Sequence, residues 1–226
     1  MVTTRLSEAE HQLVSDAVAA AEKSTDGEIV TIITDRSDSY HDVGLHYAIA
    51  AMLLVPALLG LFPHWLAVIL DRFMNGWTGE PELSVILLGL FVTMTIVFLA
   101  VRYLLAWMPL RLALTPHATR ERRVRRRAIA FFKVGAERRT RGRTGILIYL
   151  SMGEHVAEIV ADEAIHAKVA PEIWGDAMVA LIDEVRAGRV AEGMAAAVTQ
   201  VGIILHERFP HQGDNPNELP DRLIEL

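Results

Sequence analysis

Glu28, Arg143, Asp162 and Glu163 are the residues whose types and placement come nearest to a chemical centre. Glu28 opens a β-branched run, Glu28-Ile29-Val30-Thr31-Ile32-Ile33-Thr34. Arg143 stands two residues before Gly145-Ile146-Leu147-Ile148-Tyr149-Leu150, and Asp162-Glu163 follows His155-Val156-Ala157-Glu158-Ile159-Val160. If the first two runs are parallel strands and the third returns antiparallel, all four residues gather at one end of a sheet. Three carboxylates together suit a hard cation or a guanidinium. An arginine among them neutralises them as a metal would, so an ion pair or a ligand site is expected. A calcium or magnesium site needing six or more oxygens is disfavoured.

Other chemistries fail on spacing. His206 and His211 are five apart with Pro210 between them and Asp214 nearby, which is not the i, i+4 pair of zinc enzymes, and His155 and His166 lie elsewhere. No serine sits in a Gly-x-Ser-x-Gly elbow, and no glycine-rich loop with lysine follows a strand. Cysteine is absent, which removes thiolate nucleophiles, thiolate metal sites and disulfides. No catalytic centre is evident, and the reading leans away from an enzyme.

The elements that must position those residues are legible. Ser7 followed by Glu10 forms a capping box ahead of the apolar positions Leu13, Val14, Ala17, Val18 and Ala21, so a helix starts there and Thr25-Asp26-Gly27 ends it. Ser151-Met152-Gly153-Glu154 turns the second strand into the third. Helical patterns over about 162–168, 173–187 and 190–209 would cover the sheet. The tail from Phe209 to Leu226 reads as extended chain clamped onto the domain by Leu219, Leu223 and Ile224.

Between the first strand and its partners lies something apolar. The 226 residues are 52% hydrophobic with mean hydropathy +0.29, above the roughly 45–50% usual in soluble domains. Val43 to Leu70 contains no Asp, Glu, Lys or Arg; as a helix it would extend about 42 Å, enough to cross a hydrocarbon core of about 30 Å with a kink at Pro56 or Pro63. Leu83 to Trp107 carries one charge, Arg102, near its end. Trp65, Trp77, Tyr103 and Trp107 stand near run ends, where aromatic belts form, and 71–82 with Gly76, Gly79 and Pro81 would turn the chain back.

Charge is segregated along the chain. Residues 111–143 hold 12 basic residues against two acidic ones, a net +10, whereas 1–42 and 144–226 are net −6 and −9. Because Lys and Arg stay cytoplasmic, two spans would leave both termini in the cytoplasm. Thr115-Pro116 is a helix start, with Val124, Ala128, Phe131 and Phe132 as an apolar stripe. Such a helix would pack on the sheet while Arg122, Arg123, Arg125, Arg126 and Arg127 meet anionic lipid headgroups. No aromatic stacking platform accompanies the run, so nucleic acid is not expected as a partner.

Gly27-Glu28-Ile29-Val30, the strand Gly145 to Leu150 with its returning partner, Gly188, and Gly193-Met194-Ala195-Ala196-Ala197-Val198 together resemble the TPM domain of thylakoid and bacterial envelope proteins, over residues 7–42 and about 116–209. The resemblance implies an α/β fold, a TPM-like αβ sandwich that is discontinuous, with an inserted two-helix transmembrane hairpin. Residues 1–42 would be its first part, 43–110 the hairpin, 111–209 the basic helix and the rest of the sandwich, and 210–226 a C-terminal tail. Phosphatase activity, divalent-metal binding and a role in membrane-complex assembly all attach to the family. Its members commonly place acidic and amide residues just before the glycine that Gly145 matches, where Arg143-Thr144 stand here, so a cofactor is not expected and Ca²⁺ or Mg²⁺ enters only by resemblance. The expectation is an integral protein of the bacterial inner membrane: a membrane-anchored interaction or assembly module with a cytoplasmic domain and an unidentified protein partner. The alternative is a divalent-metal-dependent, phosphatase-like hydrolase.

Overall fold

The computed structural model describes residues 6–62, 64, 68, 72, 82–135, 144–211 and 221–226. The chain divides into two compact units, Met1–Asp38 with His117–Leu226, and Ser39–Pro116.

In the first unit, helix α1 (Glu8–Glu22) begins on the capping box, with the Ser7 side chain accepting from the Glu10 amide and Glu10 reaching back to the Ser7 amide. Strands β1 (Glu28–Thr34) and β2 (Gly145–Ser151) pair parallel along their whole length, Glu28 opposite Gly145 and Thr34 opposite Ser151. Strand β3 (Val156–Ala161) returns antiparallel to β2. It starts one residue later than the sequence pattern suggests, because His155 takes a left-handed conformation (φ 53°) that belongs to the turn. The tail, read from sequence as a clamp, contributes a fourth strand, β4 (Ile224–Glu225), parallel to β1, and the sheet order is β3-β2-β1-β4. Leu223 is buried beside β4, while Leu219 lies outside the described residues.

Alternation along these strands sorts side chains onto two faces. Ile29 and Ile33 of β1, with Ile146, Ile148 and Leu150 of β2, face one apolar layer. That layer is built by α1, the short α6 (Glu163–His166), a 3₁₀ turn (Pro171–Trp174), α7 (Gly175–Arg186) and α8 (Val190–Arg208). Val30, Ile32, Leu147 and Tyr149 face the opposite way, onto Val124, Ala128 and Phe132. Those three belong to the helix of the basic stretch, α5 (His117–Gly135).

Gly193 on α8 sets how closely α7 approaches: a Cβ there would stand 2.8 Å from the Leu181 carbonyl oxygen. Gly193→Val is therefore expected to destabilise this unit by about 1–3 kcal/mol through overpacking, read as a lowered melting temperature of the detergent-solubilised chain.

The second unit holds α2 (His41–Leu61) and α3 (Leu83–Leu104), which pack on each other, and α4 (Met108–Ala113). Both long helices are long and apolar enough to cross a membrane. At 21 and 22 residues they span about 31–33 Å, the thickness of a hydrocarbon core. No residue of α3 is buried, and Leu87, Leu88, Phe91, Ile96 and Leu104 are exposed. Arg111, the first residue of the basic stretch that sets the expected orientation, is buried. Its Nε donates to the Leu105 carbonyl (2.6 Å) and Nη1 to the Ser39 carbonyl (2.6 Å). Thr115, read as a cap, donates its hydroxyl to the Arg111 carbonyl one turn back (2.8 Å). The basic helix, α5, begins at His117 and ends at Gly135.

Candidate functional site

Parallel pairing of β1 and β2 creates two polar ends, and each carries buried carboxylates. At the amino end, Glu28 lies beside Gly145, and Asp162 lies on the other side of the same glycine. The Asp162 amide donates to the Gly145 carbonyl (2.9 Å), and Oδ2 accepts from the Gly145 amide (3.0 Å). Strand alternation puts Glu28 on the same face as Val30, whereas Asp162 follows the end of β3 and turns its carboxylate onto the Gly145 backbone. Both are buried and both are engaged in polar interactions. Glu163 opens α6 and is exposed, so it is not drawn into that pair. Arg143 lies outside the described residues.

Glu22, unmarked by any motif, arrives at this end from the last turn of α1. Its Oε1 accepts from the Ile29 amide (2.6 Å). Burial pushes its carboxyl up to about 8; the Ile29 hydrogen bond acts against that shift, and the negative charges of Glu28 and Asp221 add to it. A hard divalent cation would do the reverse and hold Glu22 ionised. One Asp162 oxygen is already given to an amide, and among the described residues no three His, Asp or Glu side chains converge as metal ligands. This donor set does not fit calcium or magnesium, and no chemical step is drawn through either.

At the carboxyl end, four residues outside the sequence-predicted site form a continuous chain. The Tyr149 and Ser37 hydroxyls share a hydrogen bond (3.0 Å), Ser37 Oγ donates to Ser151 Oγ (3.0 Å), and Ser151 Oγ donates to Glu154 Oε2. Glu154 Oε1 accepts from the Ser37 amide (3.0 Å), and the side chain is fully buried. Burial raises the Tyr149 phenol above its ordinary range, which keeps it a neutral donor. Every hydroxyl thus points its proton towards one carboxylate, an arrangement that polarises cooperatively and holds the segment after β1 in place. No imidazole takes part and each carboxylate oxygen already accepts from a residue of the chain itself, so the arrangement reads as a lock rather than a nucleophile paired with a base. The signal for it was Ser37, just past β1, together with Ser151-x-x-Glu154 at the end of the parallel strand β2.

The arginines of α5 divide by helical position. Arg123 is largely covered and bonds Asp38 (3.0 Å), a carboxylate of its own unit. Arg126 is exposed and reaches the same carboxylate at 3.6 Å. Arg122, Arg125 and Arg127 are also exposed, Arg127 stacking over the Phe131 ring at 4.6 Å. His206 and His211 act separately as ties to the chain before β1: His206 Nδ1 meets the Ser24 carbonyl (2.7 Å), and His211 meets Asp26 (3.1 Å).

No family model and no curated protein matches the chain. The solved NMR structure of BA42 protein from the psychrophilic bacterium Bizionia argentinensis is similar to it, with a TM-score of 0.56 over 100% of this chain and 98% of that one, at 17% identity. A likeness at that identity is one of fold, and it places this chain among mixed α/β structures.

Proposed function

We propose that this protein is a membrane-anchored, TPM-like interaction module: a discontinuous αβ sandwich, interrupted by a transmembrane hairpin, that sits on the cytoplasmic side of a bacterial inner membrane and engages a protein partner. The carrying observation is the exposure of α2 and α3. Apolar side chains cover α3 on all sides with none buried, an area far beyond the few hundred Å² of apolar patch that soluble monomers tolerate. The net +10 of residues 111–143 supports the cytoplasmic orientation. The exposed Arg122, Arg125, Arg126 and Arg127 support headgroup contact worth about 1 kcal/mol each near an anionic surface. Among the described residues no three His, Asp or Glu side chains group as metal ligands, so the metal-dependent hydrolase reading gains no support there.

The absence of cysteine makes the topology directly testable. Glu207→Cys, at an exposed position of α8, is expected to react with a membrane-impermeant maleimide only after the inner membrane is opened, and Glu80→Cys before it. The opposite pattern overturns the orientation. Headgroup contact is tested with the full chain in nanodiscs: α5 amides are expected to exchange more slowly in anionic than in zwitterionic lipid. Changing Arg122, Arg125, Arg126 and Arg127 together to Gln should erase that difference; its persistence would exclude the arginines as its source.

A further inference from the structure

Beneath α5, on the face opposite the main helical layer, the sheet is not completely covered. A cavity of about 180 Å³ opens between the last turns of α5 and the β1–β4 edge. Val30 and Leu147 form its floor, Phe131 and Val134 one wall, and Ile224 and Leu226 the other. All its lining side chains are apolar. Val134 and Leu226, 82% and 54% exposed, stand at its mouth. The cavity is somewhat larger than an engineered apolar cavity of about 150 Å³ that stays dry and takes up benzene, so hydrocarbon is the chemistry it fits.

A cation stands beside that hydrocarbon-shaped space. The Arg127 guanidinium lies 4.6 Å from the centroid of Phe131, on the wall of the cavity, and is exposed. An apolar slot for one chain with a guanidinium at its edge describes an occupant with one hydrocarbon tail and a negative head. We propose that this cavity binds a single-chain anionic amphiphile, a fatty carboxylate, with the tail between Phe131 and Ile224 and the head on Arg127. A diacyl lipid would leave its second chain without a slot. The site is independent of any protein partner, so it goes beyond the interaction-module reading and stands or falls separately from the cysteine-labelling result.

The test uses the full chain in phosphatidylcholine nanodiscs and dodecanoic acid carrying a photoreactive diazirine near its methyl end, with the matching dodecanol as control. Adducts mapped by mass spectrometry are expected on the segments around Phe131–Val134 and Ile224–Leu226. The acid is expected to label about fivefold more than the alcohol. Excess unlabelled dodecanoic acid should compete. Ile224→Phe, which fills the cavity from the half-buried β4, should abolish these adducts. Arg127→Gln, at an exposed helical position, should retain them while removing the preference for acid. Adducts confined to α2 and α3, which bilayer partitioning alone produces, would overturn the proposal. So would equal labelling by acid and alcohol, or failure of dodecanoic acid to compete because a phospholipid chain or a second copy already occupies the cavity.

Discussion

Glu154→Ala is expected to destabilise the α/β unit by about 3 kcal/mol, more than any surface change in this chain, because a buried carboxylate is there the common acceptor of two donors. Removing it leaves the buried Ser151 hydroxyl and the partly buried Ser37 amide without their acceptor, each unmet donor costing about 1–3 kcal/mol where it is shielded from water. Glu154→Gln keeps the volume and one acceptor, so about half of that loss is expected. Denaturant unfolding of the full chain in mild detergent reads both changes. Hydrogen exchange adds a local signature, fast exchange at the Ser37 amide in the alanine variant only. A loss below about 1 kcal/mol for Glu154→Ala would mean that the hydroxyl chain does not hold this segment.

Glu22 carries the second large expectation, and its sign is opposite to the usual carboxylate. Its folded value near 8 lies above the ordinary value of 4.5, so the folded chain keeps a proton that the unfolded chain has released between those limits. Fewer protons bound in the unfolded state means that stability falls as pH rises from about 4.5 to about 8 and then levels off. With solvent screening at this half-buried position, the fall is about 2 kcal/mol. Glu22→Gln retains the acceptor for the Ile29 amide and removes the ionisation, so it is expected to flatten the slope and raise stability at pH 8. Melting temperatures of wild type and variant across pH 5–9 should converge at the acid end and separate at the alkaline end. Parallel curves would show that Glu22 is not the group responsible.

Much of the architecture is local in origin and could be read residue by residue. Ser7 and Glu10 cap α1, the β-branched run at Glu28–Thr34 is a strand of the expected length, and Val124, Ala128 and Phe132 recur at helical spacing and meet the sheet. Parallel pairing of β1 with β2 followed from the long connection between them, since a crossover rather than a tight turn must join parallel strands. Illegible were the contacts whose partners are remote in sequence. Two residues of the tail, Ile224 and Glu225, extend the sheet by bonding to a strand some 190 positions earlier, a pairing that no local propensity encodes. Arg123 and Arg126 look alike in a run of arginines, yet one is covered and the other exposed, because their places on α5 differ relative to Asp38.

Composition and periodicity were enough to establish two apolar helices of bilayer length, a β-branched sheet and a segregated basic stretch, because each depends on neighbours within a few turns of chain. Which carboxylates end up buried and what they hold required the assembled sheet. Glu22 and Glu154 are ordinary surface-type residues in the linear chain, and become a proton-retaining acid and a shared acceptor only when segments remote in sequence enclose them. Burial and hydrogen bonding at those positions are properties of distances in space, and folding, rather than residue type, supplies them.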